Sequence, residues 1–184
     1  MQMPPEVKRS MAFLLTSIFL WFTAYNAVTT AFSRYTKVVW HLEGGGFADC
    51  LMVATVAAIL SYVPIGNLAG RIGRKKTILV GIVLMSICYF AAIFVGQYHG
   101  LVNVAFAVIG IGWAAINVNS YPMIVEMSKG SDIGKFTGTY YTFSMAAQIL
   151  TPILSGFLLE NVSYRTLFPY AFVFSVLAFI TMAQ

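Results

Sequence analysis

The chain has 184 residues, of which 59% are hydrophobic and 9% are charged, and its mean hydropathy is +0.82. An average soluble domain is about half apolar and about a quarter charged, so this composition excludes an ordinary soluble protein. The formal net charge is +5 at pH 7. Cys50 and Cys88 fall in apolar stretches, and His41 is far from His99 along the chain, so neither a disulfide framework nor a metal site is expected.

Six long apolar stretches follow one another along the chain, each near the ~20 residues that cross the hydrocarbon core of a bilayer as a helix. They do not alternate in polarity as the strands of a transmembrane barrel do. The first stretch is too long for the apolar region of a signal peptide and is expected to stay in the mature chain. The sequence therefore predicts an all-α membrane protein with six transmembrane helices. They cover about residues 11–33, 47–68, 77–97, 101–125, 136–159 and 164–183.

Polar side chains recur along the first span at steps of three and four residues. They are Thr23, Asn26, Thr30 and Ser33, with Tyr25 and Thr29 beside them. Residues at this spacing share one face of a helix, whereas a helix surrounded by lipid should be apolar all round. We expect this face to turn toward a water-filled cavity or toward a neighbouring helix.

Four basic side chains lie together between the second and third spans, in the stretch PIGNLAGRIGRKK. If both chain ends are cytoplasmic, the inner segments contain Lys8, Arg9, Arg71, Arg74, Lys75, Lys76, Lys129 and Lys135, and the outer segments contain Arg34, Lys37 and Arg165. This distribution obeys the positive-inside rule, so we expect a multi-pass protein of the cell membrane with both termini in the cytoplasm. A tight loop between two spans is not the extended basic patch that nucleic-acid binding needs.

Three glycines accompany the basic cluster. Gly66, Gly70 and Gly73 are expected to relieve backbone crowding in a short loop. Gly66 and Gly70 also have the four-residue spacing of small residues that permits two helices to approach closely.

The fourth and fifth spans carry polar faces as well. In the fourth span the face consists of Asn103, Gly110, Trp113, Asn117 and Tyr121, and in the fifth it consists of Thr137, Tyr141, Ser144, Gln148, Thr151 and Ser155. The third and sixth spans have almost no comparable side chains. In the connector before the fifth span, Asp132 is expected to cap that helix or to pair with Arg71 or Arg74.

The polar faces correspond between the two halves of the chain, because spans one and four have them and spans three and six do not. A unit of three spanning helices reverses its orientation when it is repeated. Two inverted three-helix repeats, with cavity-lining helices at matching positions, are typical of transporters whose site lies near the membrane midplane. We therefore predict this arrangement.

Each polar face has a second interpretation. Asn, Thr and Gln side chains hydrogen-bond between neighbouring membrane helices for about 0.6 kcal/mol each without touching a ligand. For an isolated Asn or Thr that interpretation is the stronger one. Faces that combine amides with Trp or Tyr are also suited to a sugar-like ligand, and for Trp113 and Tyr141 binding and packing stay equally open.

The stretch GNLAGRIGRKK resembles the G-x-L-a-D-r-x-G-R-k-k loop of the major facilitator superfamily, which joins the second and third helices of each six-helix half. The matching residues are Gly66, Leu68, Arg71, Gly73, Arg74 and Lys75, and Gly70 stands at the acidic position of the motif. The resemblance implies half of a major facilitator fold. It also implies a cytoplasmic gate loop formed by Gly66, Arg71, Gly73, Arg74 and Lys75.

The stretches FLWFTAYNAVTTAFSRY, GIGWAAINVNSYPMIVEM and GTYYTFSMAAQILTPILSG resemble the glycoside-pentoside-hexuronide and sucrose-transporter-like branch of that superfamily. The resemblance implies the carboxyl-terminal six helices of a twelve-helix symporter. Residues 1–10 would be the remnant of a cytoplasmic linker, and residues 11–184 would be the bundle. The implied substrate-binding residues are Tyr25, Asn26, Thr30, Trp113, Asn117, Tyr141 and Gln148.

The expected function is that of half a secondary active transporter, a cation-coupled sugar symporter that works by alternating access. H⁺ or Na⁺ is the implied coupling ion, and no other cofactor is expected. The second half of the cavity would come from an amino-terminal six-helix partner or from a second copy. The alternatives are a drug or metabolite efflux carrier of the same superfamily and a non-transporting membrane fragment or interaction protein. No span contains a nucleophile–base pair, so an enzyme is not expected.

Overall fold

The computed structural model describes residues 4–128 and 132–184, and within these ranges the chain forms six long α-helices. The helices are α1 (Pro5–Val39), α2 (Gly46–Ile72), α3 (Arg74–Ile93), α4 (Leu101–Met127), α5 (Ile133–Asn161) and α6 (Leu167–Ala183), with a 3₁₀ turn at Tyr164–Thr166 before α6. Each of the six is long and apolar enough to cross a membrane. The prediction of an all-α, multi-pass membrane protein is confirmed.

The first helix extends beyond its apolar segment at both ends. It begins at Pro5, within the stretch 1–10, and has proline in its first turn, where the missing N–H is not needed. At 1.5 Å per residue its 35 residues are about 52 Å long, against about 30 Å of hydrocarbon. The ends of α1 therefore reach into the polar layers on both sides.

The packing of the helices repeats after three elements. Helix α2 of the first half packs along α4 of the second half, and α5 of the second half packs along α1 of the first half. In the same way α3 packs along α4, α6 packs along α1, and α3 contacts α6 across the middle. Exchanging α1, α2 and α3 with α4, α5 and α6 leaves this scheme unchanged, which confirms the prediction of two inverted three-helix repeats.

The connection between α2 and α3 is shorter than predicted. Gly66 and Gly70 lie inside α2, and only Gly73 separates the two helices. Gly73 has φ 93°, a backbone conformation that glycine adopts without steric cost. The expected loop is thus a single-residue link, because the helical hydrogen bonds of α2 continue up to it.

Close helix contacts occur at other glycines than the predicted pair. A Cβ on Gly70 would meet nothing within 4 Å, and one on Gly66 would touch only Val118 at an ordinary 3.7 Å. A Cβ on Gly110 of α4, in contrast, would overlap with the backbone oxygen of Ala54 in α2. The prediction that Gly66 and Gly70 mediate close approach is wrong, because neither faces the backbone of a neighbouring helix.

A second close contact joins α3 to α4. A Cβ on Gly81 would lie 2.6 Å from the carbonyl oxygen of Gly112, and a Cβ on Gly112 would lie 2.7 Å from that of Gly81. The two backbones touch without an intervening side chain. Helix α4 is thus held against α2 on one side and against α3 on the other.

Substitution of Gly110 by valine should destabilise the bundle by about 1–3 kcal/mol or more, because the new Cβ has no space against the backbone of α2. Gly156→Val is the matched control, since Gly156 also lies in a helix and a Cβ there would meet nothing within 4 Å. Stability can be measured in detergent as the temperature at which a maleimide dye reaches the buried Cys50 and Cys88. Equal melting temperatures for the two variants would contradict this packing.

Candidate functional site

Two aromatic rings join α1 to α4 near the middle of both helices. Tyr25 stacks on Trp113 with ring centroids 3.9 Å apart and planes 4° from parallel. Phe22, one turn before Tyr25, meets the same indole edge-on at 5.2 Å. Both Tyr25 and Trp113 are half-buried, so the pair is part of the interface between the repeats and also reaches the surface.

Two amide side chains lie next to this stack along their helices. Asn26 is half-buried, and its Nδ2 donates to the carbonyl oxygen of Phe22 in the same helix, 2.8 Å away. That bond leaves its Oδ1 available as an acceptor. Asn117 is also half-buried and lies one helical turn after Trp113. The structure thus places an aromatic pair and two amides on one region of α1 and α4.

The other three predicted binding residues have contacts of their own. Thr30 is exposed, donates to the carbonyl oxygen of Asn26, and faces a hollow of about 160 Å³ between α1 and α5 that also contacts Arg34 and Glu160. Tyr141 is 49% exposed and belongs to a group of tyrosines with Tyr121 and Tyr140. The hydroxyls of the latter two are bonded to Thr137 and to Ser120, respectively.

Gln148 is exposed two turns beyond Tyr141 on α5, and its Nε2 donates to the carbonyl oxygen of Ser144. Of the rest of the predicted polar face of α5, Thr137 is half-buried and bonded to Tyr121, and the other three residues are buried. The hydroxyls of Ser144, Thr151 and Ser155 donate to carbonyl oxygens of their own helix, three or four residues earlier. Because these bonds satisfy the hydroxyls locally, only the edge of this face, with Tyr141 and Gln148, is directed outward.

Asn103 shows the alternative role of a polar residue on α4. Its Oδ1 accepts from the Cys50 thiol of α2 at 3.1 Å, and its Nδ2 donates to the Tyr98 hydroxyl at 2.8 Å. The side chain therefore connects helices near one end of the bundle. It lies on the predicted face of Trp113 and Asn117 but is occupied by structural contacts.

The surface around the stack is open. Helices α2 and α5 each pack mainly along one other long helix and expose large apolar side chains over much of their length. These include Ile59, Leu60 and Val63 on α2, and Met145, Ile149 and Ile153 on α5. Large apolar side chains of α2 and α5 are thus exposed in the described part of the bundle.

Charged side chains gather at the helix ends. At the end of the bundle that contains Gly73, Arg74 Nε is 2.8 Å from Glu126 Oε1 and its Nη1 is 3.4 Å from Asn119 Oδ1. Lys75 Nζ donates to the backbone oxygen of Ala183, which ties α3 to the end of α6. We refer to this end as the basic end.

The pairing predicted for Asp132 is not the one found. The carboxylate that pairs with Arg74 is that of Glu126, at the end of the neighbouring helix α4. Asp132 occupies the position before α5, but its side chain makes no capping hydrogen bond. Arg71 is exposed in the last turn of α2, and Lys129, counted among the inner cations, lies outside the described residues.

Sequence analysis missed the contribution of Asn119 and Glu126. Asn119 is completely buried, and its Nδ2 donates to the carbonyl oxygen of Ala115 while its Oδ1 faces Arg74. It lies off the polar face defined by Trp113 and Asn117, so the periodicity did not select it. A signal was present in their spacing. Asn119 and Glu126 are seven residues apart, which is about two helical turns, so both lie on one side of α4.

No group of three or more His, Cys, Asp or Glu side chains that could hold a metal ion occurs in the described parts of the chain. The ion pairs there are Arg74–Glu126 at the basic end and Arg34–Glu160 at the opposite end. The two ion pairs thus lie at the ends of the bundle, whereas the stack lies near the middle of α1 and α4.

Comparison with known proteins gives one family match and two relatives. The profile of the Major Facilitator Superfamily matches residues 14–183. The chloramphenicol resistance protein CraA of Acinetobacter baumannii is 31% identical over 101 residues, which are 55% of this chain and 24% of that protein. The uncharacterized protein YqgE of Bacillus subtilis is 26% identical over 181 residues, 93% of this chain and 39% of that protein. The chain thus spans less than half the length of either relative.

The contacts of Arg74 predict a difference between the two ion pairs. Arg74→Gln should lower stability more than Arg34→Gln, because Arg74 is 35% exposed and also bonds to the buried Asn119, whereas Arg34 is 65% exposed and, within the described residues, hydrogen-bonds to Glu160 alone. Both side chains of the Arg34–Glu160 pair are exposed, so this pair should contribute less than about 1 kcal/mol to stability. Melting temperatures of the two variants by the maleimide assay test this, and a larger effect at Arg34 would contradict it.

Proposed function

The chain belongs to the Major Facilitator Superfamily, and on that premise we propose that it forms one half of the substrate cavity of a secondary active transporter. The observation that carries the proposal is the stack of Tyr25 on Trp113, with Asn26 and Asn117 beside it, in the middle of the two helices that begin the inverted repeats. In transporters built from such repeats, the site lies near the midplane at the repeat interface.

The substrate class that these residues support best is an uncharged small molecule with an aromatic or apolar part. The large apolar side chains exposed on α2 and α5 border the stack, and the described residues put their ion pairs only at the ends of the bundle. The similarity to a chloramphenicol resistance protein supports the same choice. We therefore propose efflux of a drug or metabolite as the leading function.

A cation-coupled sugar symporter is the second candidate. The amides of Asn117 and Gln148, with the Tyr141 hydroxyl, offer the donors and acceptors that sugar hydroxyls need, and an aromatic face such as Trp113 suits the apolar face of a sugar ring. In that case H⁺ or Na⁺ would be the coupling ion. Thr30 and Tyr141 would have to approach the ligand from outside the stack.

A second half is needed to close the cavity. The faces of α2 and α5 that are exposed in this chain would pack against an amino-terminal six-helix partner, in the same or in another chain, or against a second copy. Residues 11–184 would then form one of two bundles that rock about the site, with residues 1–10 as the end of a linker. Both termini and the basic end would lie in the cytoplasm of a cell whose plasma membrane contains the protein, in agreement with the positive-inside rule.

The first test is transport by purified protein in proteoliposomes. We expect saturable, competable flux of chloramphenicol, and not of sucrose or maltose, when this chain is reconstituted with an amino-terminal six-helix half. Flux of the sugars instead would establish the second candidate. If a folded preparation with a partner half moves neither class, the assignment of the substrate is wrong, and flux by the chain alone would show that two copies complete the cavity.

Two asparagines of α4 provide a matched pair for the site. Asn117→Ala should reduce transport at least tenfold with little change in melting temperature, since its amide is half-buried beside Trp113 and would lose about 1.4 kcal/mol or more of ligand contacts. Asn103→Ala should instead lower the melting temperature and leave the apparent substrate affinity unchanged, because Asn103 bonds to Cys50 and Tyr98. The reverse pattern would contradict the proposed site.

A further inference from the structure

An apolar groove runs along the outside of the bundle between α3 and α6. It encloses about 370 Å³ and is lined by Val83, Ser86, Ile87 and Phe90 of α3 and by Phe172, Val176 and Phe179 of α6. Phe90 and Phe172 close its far end with ring centroids 5.2 Å apart. Its one polar side chain is satisfied, because the Ser86 hydroxyl is bonded to the Ile82 carbonyl oxygen and to Ser175.

A cation at the basic end lies on the same face of α3 as the groove. Lys76 is exposed in the first turn of α3, and residues seven and fourteen positions later, Val83 and Phe90, lie on the same face of the helix. Val80, between them, is 51% exposed and continues this face. Within the described residues no carboxylate lies within ion-pair distance of Lys76, whereas its neighbours Arg74 and Lys75 are occupied by Glu126 and by the Ala183 oxygen.

We infer that this face binds an anionic phospholipid, with its headgroup phosphate on Lys76 and one acyl chain in the groove between α3 and α6. The heights of the residues fit such a ligand. At 1.5 Å per residue Val83 lies about 10 Å and Phe90 about 21 Å from Lys76 along α3. One leaflet of hydrocarbon is about 15 Å thick, so the last third of a chain that starts at Lys76 lies in the groove at the level of Val83, and Phe90 lies beyond the end of that chain.

Lys76 and the groove contact different parts of the lipid, the headgroup and an acyl chain respectively. A zwitterionic lipid can fill the groove equally well, but its headgroup gains less from a free ammonium group than an anionic one does. A lysine at an anionic surface contributes about 1 kcal/mol, so a preference of about fivefold for the anionic lipid is expected. The groove lies between α3 and α6, whereas the proposed substrate site lies on α1 and α4. The lipid site therefore does not depend on which solute is transported.

The test uses a tryptophan placed in the groove and lipids that quench its fluorescence. The purified chain with the substitution Phe179→Trp is reconstituted into vesicles of phosphatidylcholine and phosphatidylglycerol. In one series the phosphatidylglycerol is brominated on one acyl chain, and in the other series an equal part of the phosphatidylcholine is. We expect brominated phosphatidylglycerol to quench at about fivefold lower mole fraction. Phe157→Trp is the matched control, because Phe157 is 64% exposed on α5, away from the groove.

Further variants separate the site from a general effect of charge. Lys76→Gln should abolish the preference, Lys76→Arg should retain it, and Lys37→Gln, at the opposite end of the bundle, should not change it. Equal quenching by the two lipids at position 179 would overturn the inference. So would an equal preference at position 157, or a loss in Lys37→Gln as large as that in Lys76→Gln. Maleimide labelling of the buried cysteines verifies that each variant is folded.

Discussion

The contact on which the bundle depends is the close approach of backbones around α4. Inside a bilayer the hydrophobic effect does not drive helices together, so their association depends on van der Waals packing and on hydrogen bonds between them. At Gly110 the backbone of α2 touches α4, and at Gly112 the backbone of α3 does so. Both contacts require the absence of a side chain. They fix α4 between two helices of the other repeat and thereby set the direction in which Trp113 and Asn117 point.

The position of α4 explains where the candidate site lies. Helices α2 and α3 cover two sides of α4, and α1 approaches it through aromatic contacts, namely Phe22 and Tyr25 on Trp113 and Phe32 on Phe106. An aromatic stack fills this gap without using the polar groups next to it. The amides of Asn26 and Asn117 are half-buried next to this stack along their helices.

The polar side chains of this protein serve three different purposes that their residue types do not distinguish. Hydroxyls of α5 are bonded to carbonyl oxygens of their own helix, Asn103 connects α4 to α2, and Asn119 supports the Arg74–Glu126 pair. A membrane-embedded hydroxyl or amide has to find a partner, because no water is present to supply one. Hydrogen bonds to carbonyl oxygens of the same helix, and not contacts with a ligand, account for many of the regularly spaced hydroxyls in the fifth span.

The sequence by itself determined the six spanning helices and the equivalence of the two repeats. The six helices followed from composition, because a continuous apolar stretch of about twenty residues specifies a membrane helix. The equivalence of the repeats followed from the matching polar faces, because a unit with an odd number of spans is inverted when it is repeated. The family resemblance carried by GRIGRKK agrees with the matching profile. The same periodicity selected Asn26, Trp113 and Asn117, with Tyr25 beside Asn26, and in the structure Tyr25 stacks on Trp113.

Only the tertiary structure decided which glycines touch another backbone, that the loop after α2 is the single residue Gly73, and that Arg74 pairs with Glu126 and not with Asp132. It also gave Thr30, Tyr141 and Gln148 contacts with residues other than Tyr25 and Trp113. Helical spacing states which residues share a face, but the rotation of each helix about its axis depends on how it packs against its neighbours. That rotation decides whether a given face meets a helix, a lipid or an open cavity.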